Sequence, residues 1–155
     1  MKNTALSLFM LLLVIAVKAQ TNTETRELNA FDQIEVSDAI EVELIKGENH
    51  EITITASGID ISQVTTQINK RGLELEVSGN NPKSSSIKAV ITYVQINEIE
   101  VSSGAKVFVK DPIENKIIDL KVASNAYLEV EVKADKLVLA AETNAKMFVK
   151  GTADH

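Results

Sequence analysis

The chain has 155 residues, a formal net charge of −6 and no cysteine. An acidic surface argues against nucleic acid or an anionic membrane as partner. The missing thiols exclude a disulfide framework and a thiolate metal site, and the absence of Trp weakens any sugar-stacking platform.

The first element is the run MKNTALSLFMLLLVIAVKAQ. Lys2 supplies a basic start, Ala5 to Val17 is mostly apolar, and Val17-Lys18-Ala19 is a small-residue cleavage site before Gln20. This pattern reads as a helical signal peptide over residues 1–19. The apolar run is short for a span of about 20 residues, so no membrane span is expected after cleavage. Cleavage would remove two of the 16 basic residues and none of the 22 acidic ones, moving the net charge from −6 to −8. Export without disulfides fits a bacterial protein of the periplasm, the outer surface or the medium.

Residues 20–28 read as a lead-in, and residues 29–155 as one domain. Alternation then dominates. In IEVSDAIEVELI, Ile34, Val36, Ile40, Val42 and Leu44 take one side, and Glu35, Glu41 and Glu43 the other. EITITAS, LELEVSG, IKAVITYV, IEVSSG, KVFVK, LKVASN and YLEVEVK continue the pattern. Period two with abundant Val, Ile and Thr predicts half-buried strands. Turn signals separate them at Gly47-Glu48-Asn49, Ser57-Gly58, Arg71-Gly72, Asp111-Pro112 and Lys150-Gly151, and Gly79 to Ser86 reads as a long loop.

Three short stretches echo one another: SSGAK, ASNAY and ETNAK. They align on Gly104, Asn125 and Asn144, and the flanking alternation keeps its parity. A period of about 20 residues in strand-forming sequence predicts a solenoid in which each repeat is one coil. The expected fold is therefore all-β, a right-handed β-helix or solenoid-like stack of short strands, with an antiparallel β-sandwich as the alternative. The inward ladders would be Ile99-Leu120-Leu139, Val101-Val122-Ala141 and Val109-Val130-Val149. Gly104, Asn125 and Asn144 are the residue types that tolerate positive φ, so they mark corners. The Ser or Thr before each falls inward by parity, where its hydroxyl could bond backbone.

At this point the chain resembles a known family. FDQIEVSDAIEVELIKGENHEITITAS, GLELEVSG and IKAVITYVQINEIEVSSGAKVFV, followed by Ser-Gly-Ala and Ser-Asn-Ala corners, are similar to the bacterial exported proteins called putative auto-transporter adhesin, head GIN domain. The resemblance runs from about Arg26 to the end. It implies an all-β fold of β-helix type, common in Bacteroidetes, and brings no catalytic residue, cofactor or metal with it. Similar proteins usually continue for several more repeats. The chain here stops where another coil would begin, which implies truncation and an open C-terminal edge for self-association.

Chemistry-bearing residues are few. His50 sits in the turn GENHE, with Ser57 or Ser62 as speculative triad partners, and no nucleophile elbow supports them. The pairs Glu41/Glu43, Glu74/Glu76, Glu98/Glu100 and Glu129/Glu131 fit the solvated face of strands better than a calcium site or an acid/base pair. The outward columns of the repeats place Phe108 and Phe148 with Glu129, and Tyr127 between Lys106 and Lys146. The two phenylalanines, the tyrosine and the two lysines are the candidate surface contact, with a protein or glycan at the cell surface as partner. The expected function is a non-enzymatic exported scaffold or adhesin. A glycan-binding or glycan-active β-helix module is the alternative.

Overall fold

The computed structural model describes residues 21–153. The expected leader over residues 1–19 lies outside the described residues, as do Gln20, Asp154 and His155. Twelve strands follow in order: β1 (Thr21–Glu27), β2 (Gln33–Val36), β3 (Glu41–Lys46), β4 (Glu51–Ser57), β5 (Val64–Asn69), β6 (Gly72–Val77), β7 (Ser86–Tyr93), β8 (Glu98–Val101), β9 (Lys106–Val109), β10 (Ile113–Val122), β11 (Tyr127–Ala141) and β12 (Lys146–Ala153). The one helical turn among the described residues is a 3-10 turn at Ile61–Gln63, capped by Asp60. The fold is all-β. Period-two alternation produces these strands, and their buried residues are the alternating Ile, Val, Leu and Ala, with Tyr93 at the end of β7.

Antiparallel pairing is confined to β1–β4, β4–β7 and β5–β6. Every other pairing is parallel, which a sandwich of hairpins does not produce. One parallel ladder runs β7-β3-β9-β11-β12, and the other runs β6-β2-β8-β10-β11. The start of β11 belongs to the first ladder and its end to the second, so one sheet passes through both. The apolar sides of both ladders share one core. Ile34, Ile99 and Leu120 lie in register and are buried, as are Val42, Val107 and Leu128.

The chain passes from one ladder to the other through tight corners. Ser103 and Gly104 have φ of 50° and 74°, Ser124 and Asn125 of 53° and 63°, and Thr143 and Asn144 of 50° and 60°. In each corner the fourth residue donates to the carbonyl of the first, as Ala105 N does to Ser102 O at 3.0 Å. Two successive positive-φ residues closed by such a bond define a mirror-image β-turn. The Ser and Thr expected inward are exposed, because they carry the first left-handed residue of that turn and point away from the core.

A fourth corner of the same kind lies at Ser37-Asp38-Ala39-Ile40, with φ of 60° at Asp38 and 59° at Ala39. It stacks on the next corner through Ala39 N–H to Ser103 O at 2.9 Å. Strands β6 and β7 form a further level below it, joined by the longer loop from Ser78 to Ser85. Asp38 Oδ2 accepts from Val77 N at 2.9 Å and Asp38 O from Asn81 Nδ2 at 2.7 Å, which seats that loop on the corner.

The two ends of the stack differ. Within the segment read as a lead-in, Thr21–Glu27 is strand β1, which pairs along the whole of β4. Its core-facing register positions hold Asn22, Glu24 and Arg26 opposite Ala56, Ile54 and Ile52. Arg26 donates to Val64 O at 2.7 Å and pairs with Glu24 at 2.8 Å. The result is a polar cap that blunts the edge. At the other end Leu139 keeps register with Leu120 yet is 52% exposed, because that part of β11 has a neighbour on one side only. Gly151 lies inside β12, and the expected turn at Lys150-Gly151 is absent. Its φ is +139°, and a Cβ there would sit 1.7 Å from the Val132 carbonyl oxygen, so only glycine lets β12 follow β11.

The corner geometry has measurable consequences. Asn125→Val should cost about 1–3 kcal/mol in denaturant melts, because a β-branched residue is forced to positive φ. Asn125→Gly should be neutral within about 0.5 kcal/mol. Ala39→Gly should stabilise by about 1 kcal/mol, since Ala39 already bears the left-handed strain.

Candidate functional site: an outward aromatic strip

The parallel register lines up outward residues in columns across the strands. Lys106, Tyr127 and Lys146 share one column, and Phe108, Glu129 and Phe148 the next. Tyr127 does not make a cation–π ladder with the two lysines. Its ring leans across to the neighbouring column, with centroids 5.4 Å from Phe108 and 5.5 Å from Phe148. Three tilted rings thus form one strip over β9, β11 and β12. The Tyr127 hydroxyl donates to Glu129 Oε2 at 3.0 Å, which fixes the ring and raises the phenol pKa. The cation near the strip is Lys110, with Nζ 5.9 Å from the Phe108 centroid, within reach of a cation–π contact. Phe148 is 57% exposed, since Met147 and Val149 take the core-facing positions.

Beside the strip lies an open groove of about 440 Å³ lined by Lys110, Pro112, Glu129, Glu131, Phe148 and Lys150. Lys150 pairs with Glu131 at 3.5 Å and Lys110 with Glu43 at 3.0 Å. Exposed pairs of this kind contribute little to stability, about 0–1 kcal/mol. They balance charge along the groove.

The opposite face is acidic. Glu35 lies in register with both Glu74 and Glu100, and Glu98 with Asp119. Lys121 relieves part of this, bonding Glu98 at 2.7 Å, and its own pKa rises with that bond. Glu35 has a raised pKa from partial desolvation and from the charges of Glu100, Glu74 and Glu76. Among the described residues no group of three or more His, Cys, Asp or Glu side chains is placed to hold a metal ion.

His50 stacks against Phe31, centroids 4.6 Å apart, and desolvation lowers its pKa. No hydrogen bond joins it to Ser57 or Ser62 among the described residues, and the Ser62 hydroxyl instead donates to Asp60. Tyr93, 1% exposed, has its pKa pushed up to about 12 by burial and by the charge of Asp111. Asp32 is the buried acid. It pairs with Arg71 and accepts from Asn97 Nδ2 at 3.3 Å, tying together the segments before β2, β6 and β8. These groups hold the fold.

Parallel strand pairings stacked through one sheet define an all-β protein. The chain belongs to the family described as putative auto-transporter adhesin, head GIN domain, whose model matches residues 30–155. Solved structures that share the fold include the following three. A putative adhesin from Parabacteroides merdae is 20% identical, with a TM-score of 0.74 over 84% of this chain and 56% of that one. A putative adhesin from Bacteroides fragilis is 13% identical, with a TM-score of 0.78 over 88% and 65%. A putative lipid binding protein from Parabacteroides distasonis is 13% identical, with a TM-score of 0.58 over 86% and 67%. The chain thus spans 56% and 65% of the length of the two adhesins. No curated protein matches it in sequence. No helix among the described residues is long and apolar enough to cross a membrane.

The acidic face gives a pH signature. The pKa of Glu35 is higher in the fold than its ordinary value of 4.5. Its protonated form therefore favours the fold below that ordinary value, and the contribution is lost as pH rises through the raised one. Glu35→Gln should raise the melting temperature at pH 7, with the gain over wild type shrinking toward pH 4. A constant difference across that range would contradict the repulsion.

Proposed function

We propose that the protein is an exported, non-enzymatic binding scaffold of the bacterial cell envelope. On this reading residues 1–19 are removed after Ala19, and the strand levels wind as a right-handed β-solenoid with corners at Gly104, Asn125 and Asn144. The contact surface is the outward strip of Phe108, Tyr127 and Phe148, flanked by Lys106 and Lys146. The observation that carries this reading is the strip itself. Three aromatic rings lie side by side on the outer sheet face, Phe108 and Tyr127 half-buried against one another and Phe148 exposed, and an aromatic patch rimmed by charges is the usual form of an interaction site. Membership of an adhesin family supports the same reading.

Expression with the native leader should yield an envelope or extracellular product whose N-terminus, by mass spectrometry, is Gln20. Beads coated with that product should adhere to an extracellular-matrix coat. Phe108→Ser combined with Phe148→Ser should reduce adhesion several-fold with an unchanged melt. An uncleaved cytoplasmic product, or adhesion indifferent to both rings, would overturn the proposal.

A further inference from the structure

Phe108, Tyr127 and Phe148 cross three successive strands. The strip is therefore two strand spacings long, roughly 10 Å. It continues into the groove at Phe148. The ligand this surface fits must be flat and weakly apolar on one side and hydroxylated around its rim. Ring faces carry partial negative charge, and they attract the slightly positive C–H groups of a pyranose face. Around the rim stand two lysines, Lys110 and Lys150, and two carboxylates, Glu129 and Glu131. A lysine carries several donors and a carboxylate several acceptor sites, so the ion pairs of Lys110 and Lys150 leave capacity on each group.

Charge decides against other ligands. Around the strip and groove four lysines, Lys106, Lys110, Lys146 and Lys150, stand against Glu43, Glu129 and Glu131, and Lys110 and Lys150 are already held in ion pairs, so a phosphate or a polyanion gains little net attraction. The groove is open to solvent, which leaves an acyl chain in water, whereas small-ligand sites for apolar molecules enclose them. Its volume of about 440 Å³ lies within the range of small-molecule sites. No Trp is present, but three contiguous rings supply the stacking area that one large ring would.

We propose that the strip and its groove bind a neutral oligosaccharide, with pyranose faces on the three rings and hydroxyls bonded to Lys110, Glu129, Glu131 and Lys150. This rests on the scaffold reading above and names the partner class of that same surface. The protein as exported and purified would be titrated calorimetrically with mono- to tetrasaccharides of glucose, galactose, mannose and N-acetylglucosamine. Saturable binding should appear with at least one series and strengthen from mono- to disaccharide. Phe108→Ala and Phe148→Ala should each weaken it about tenfold with unchanged melts. Tyr127→Phe, which keeps the ring, should hold affinity within a few-fold.

No saturable binding by any saccharide would overturn the proposal, and persisting ring-dependent matrix adhesion would then leave the scaffold standing. Binding indifferent to the ring substitutions would also overturn it. So would a concentration-dependent dimer that the ring substitutions abolish, which would assign the strip to a second copy of the chain.

Discussion

The structure depends on a pair of left-handed residues repeated at four levels. Each pair turns the chain within one tight corner, and the first three are each tied to the next corner by a backbone bond. Ala39 N–H donates to Ser103 O, Gly104 N–H to Ser124 O and Asn125 N–H to Thr143 O. Those bonds fix where every following strand begins. With a side-chain period of two, a slip of one residue would send each apolar side chain into water. The corners thus hold Val36, Val101 and Val122 over one another, and Val42, Val107 and Leu128 on the other ladder.

The same register that builds the core also writes the surface. Inward columns must be apolar at every level, but outward columns are free to change. One of them reads Glu43, Phe108, Glu129, Phe148, alternating acid and ring. The opposite face reads Glu74, Glu35, Glu100, Lys121 and keeps like charges side by side. Like charges directly opposite one another are destabilising in a sheet, and the core burial outweighs them here. The ring strip is therefore a by-product of the stacking rule, carried by the strands themselves. The polar residues Asn22, Glu24 and Arg26 cover the β4 side of the sheet, and among the described residues β12 pairs on one side only, with β11.

Much of this is legible in the sequence. Parity places Phe108 and Phe148 outward with Glu129, and Gly or Asn at three corners points to positive φ. The corner at Asp38-Ala39 is not legible, because it lies far upstream of the repeated stretches and because Ala is a poor left-handed residue. The β6–β7 level is hidden because a longer loop, Ser78 to Ser85, replaces its corner. Gly151 resembles a turn signal, since glycine in a sequence reads alike for a bend and for close backbone approach. The ring strip is half visible. Columns assign Tyr127 to the lysines. Only the lean of its side chain toward diagonal neighbours joins it to the phenylalanines.

By itself, the sequence determined the strands, the faces they bury and three of the corners, because period two, β-branched composition and left-handed residue types are local properties of the chain. Tertiary structure alone decided which levels are neighbours, how β1 and β4 close one end, and that three rings from two columns make one surface. Those outcomes depend on contacts between segments far apart in the chain, such as β2 with β8, whose register is set by backbone hydrogen bonds that leave no mark on residue type.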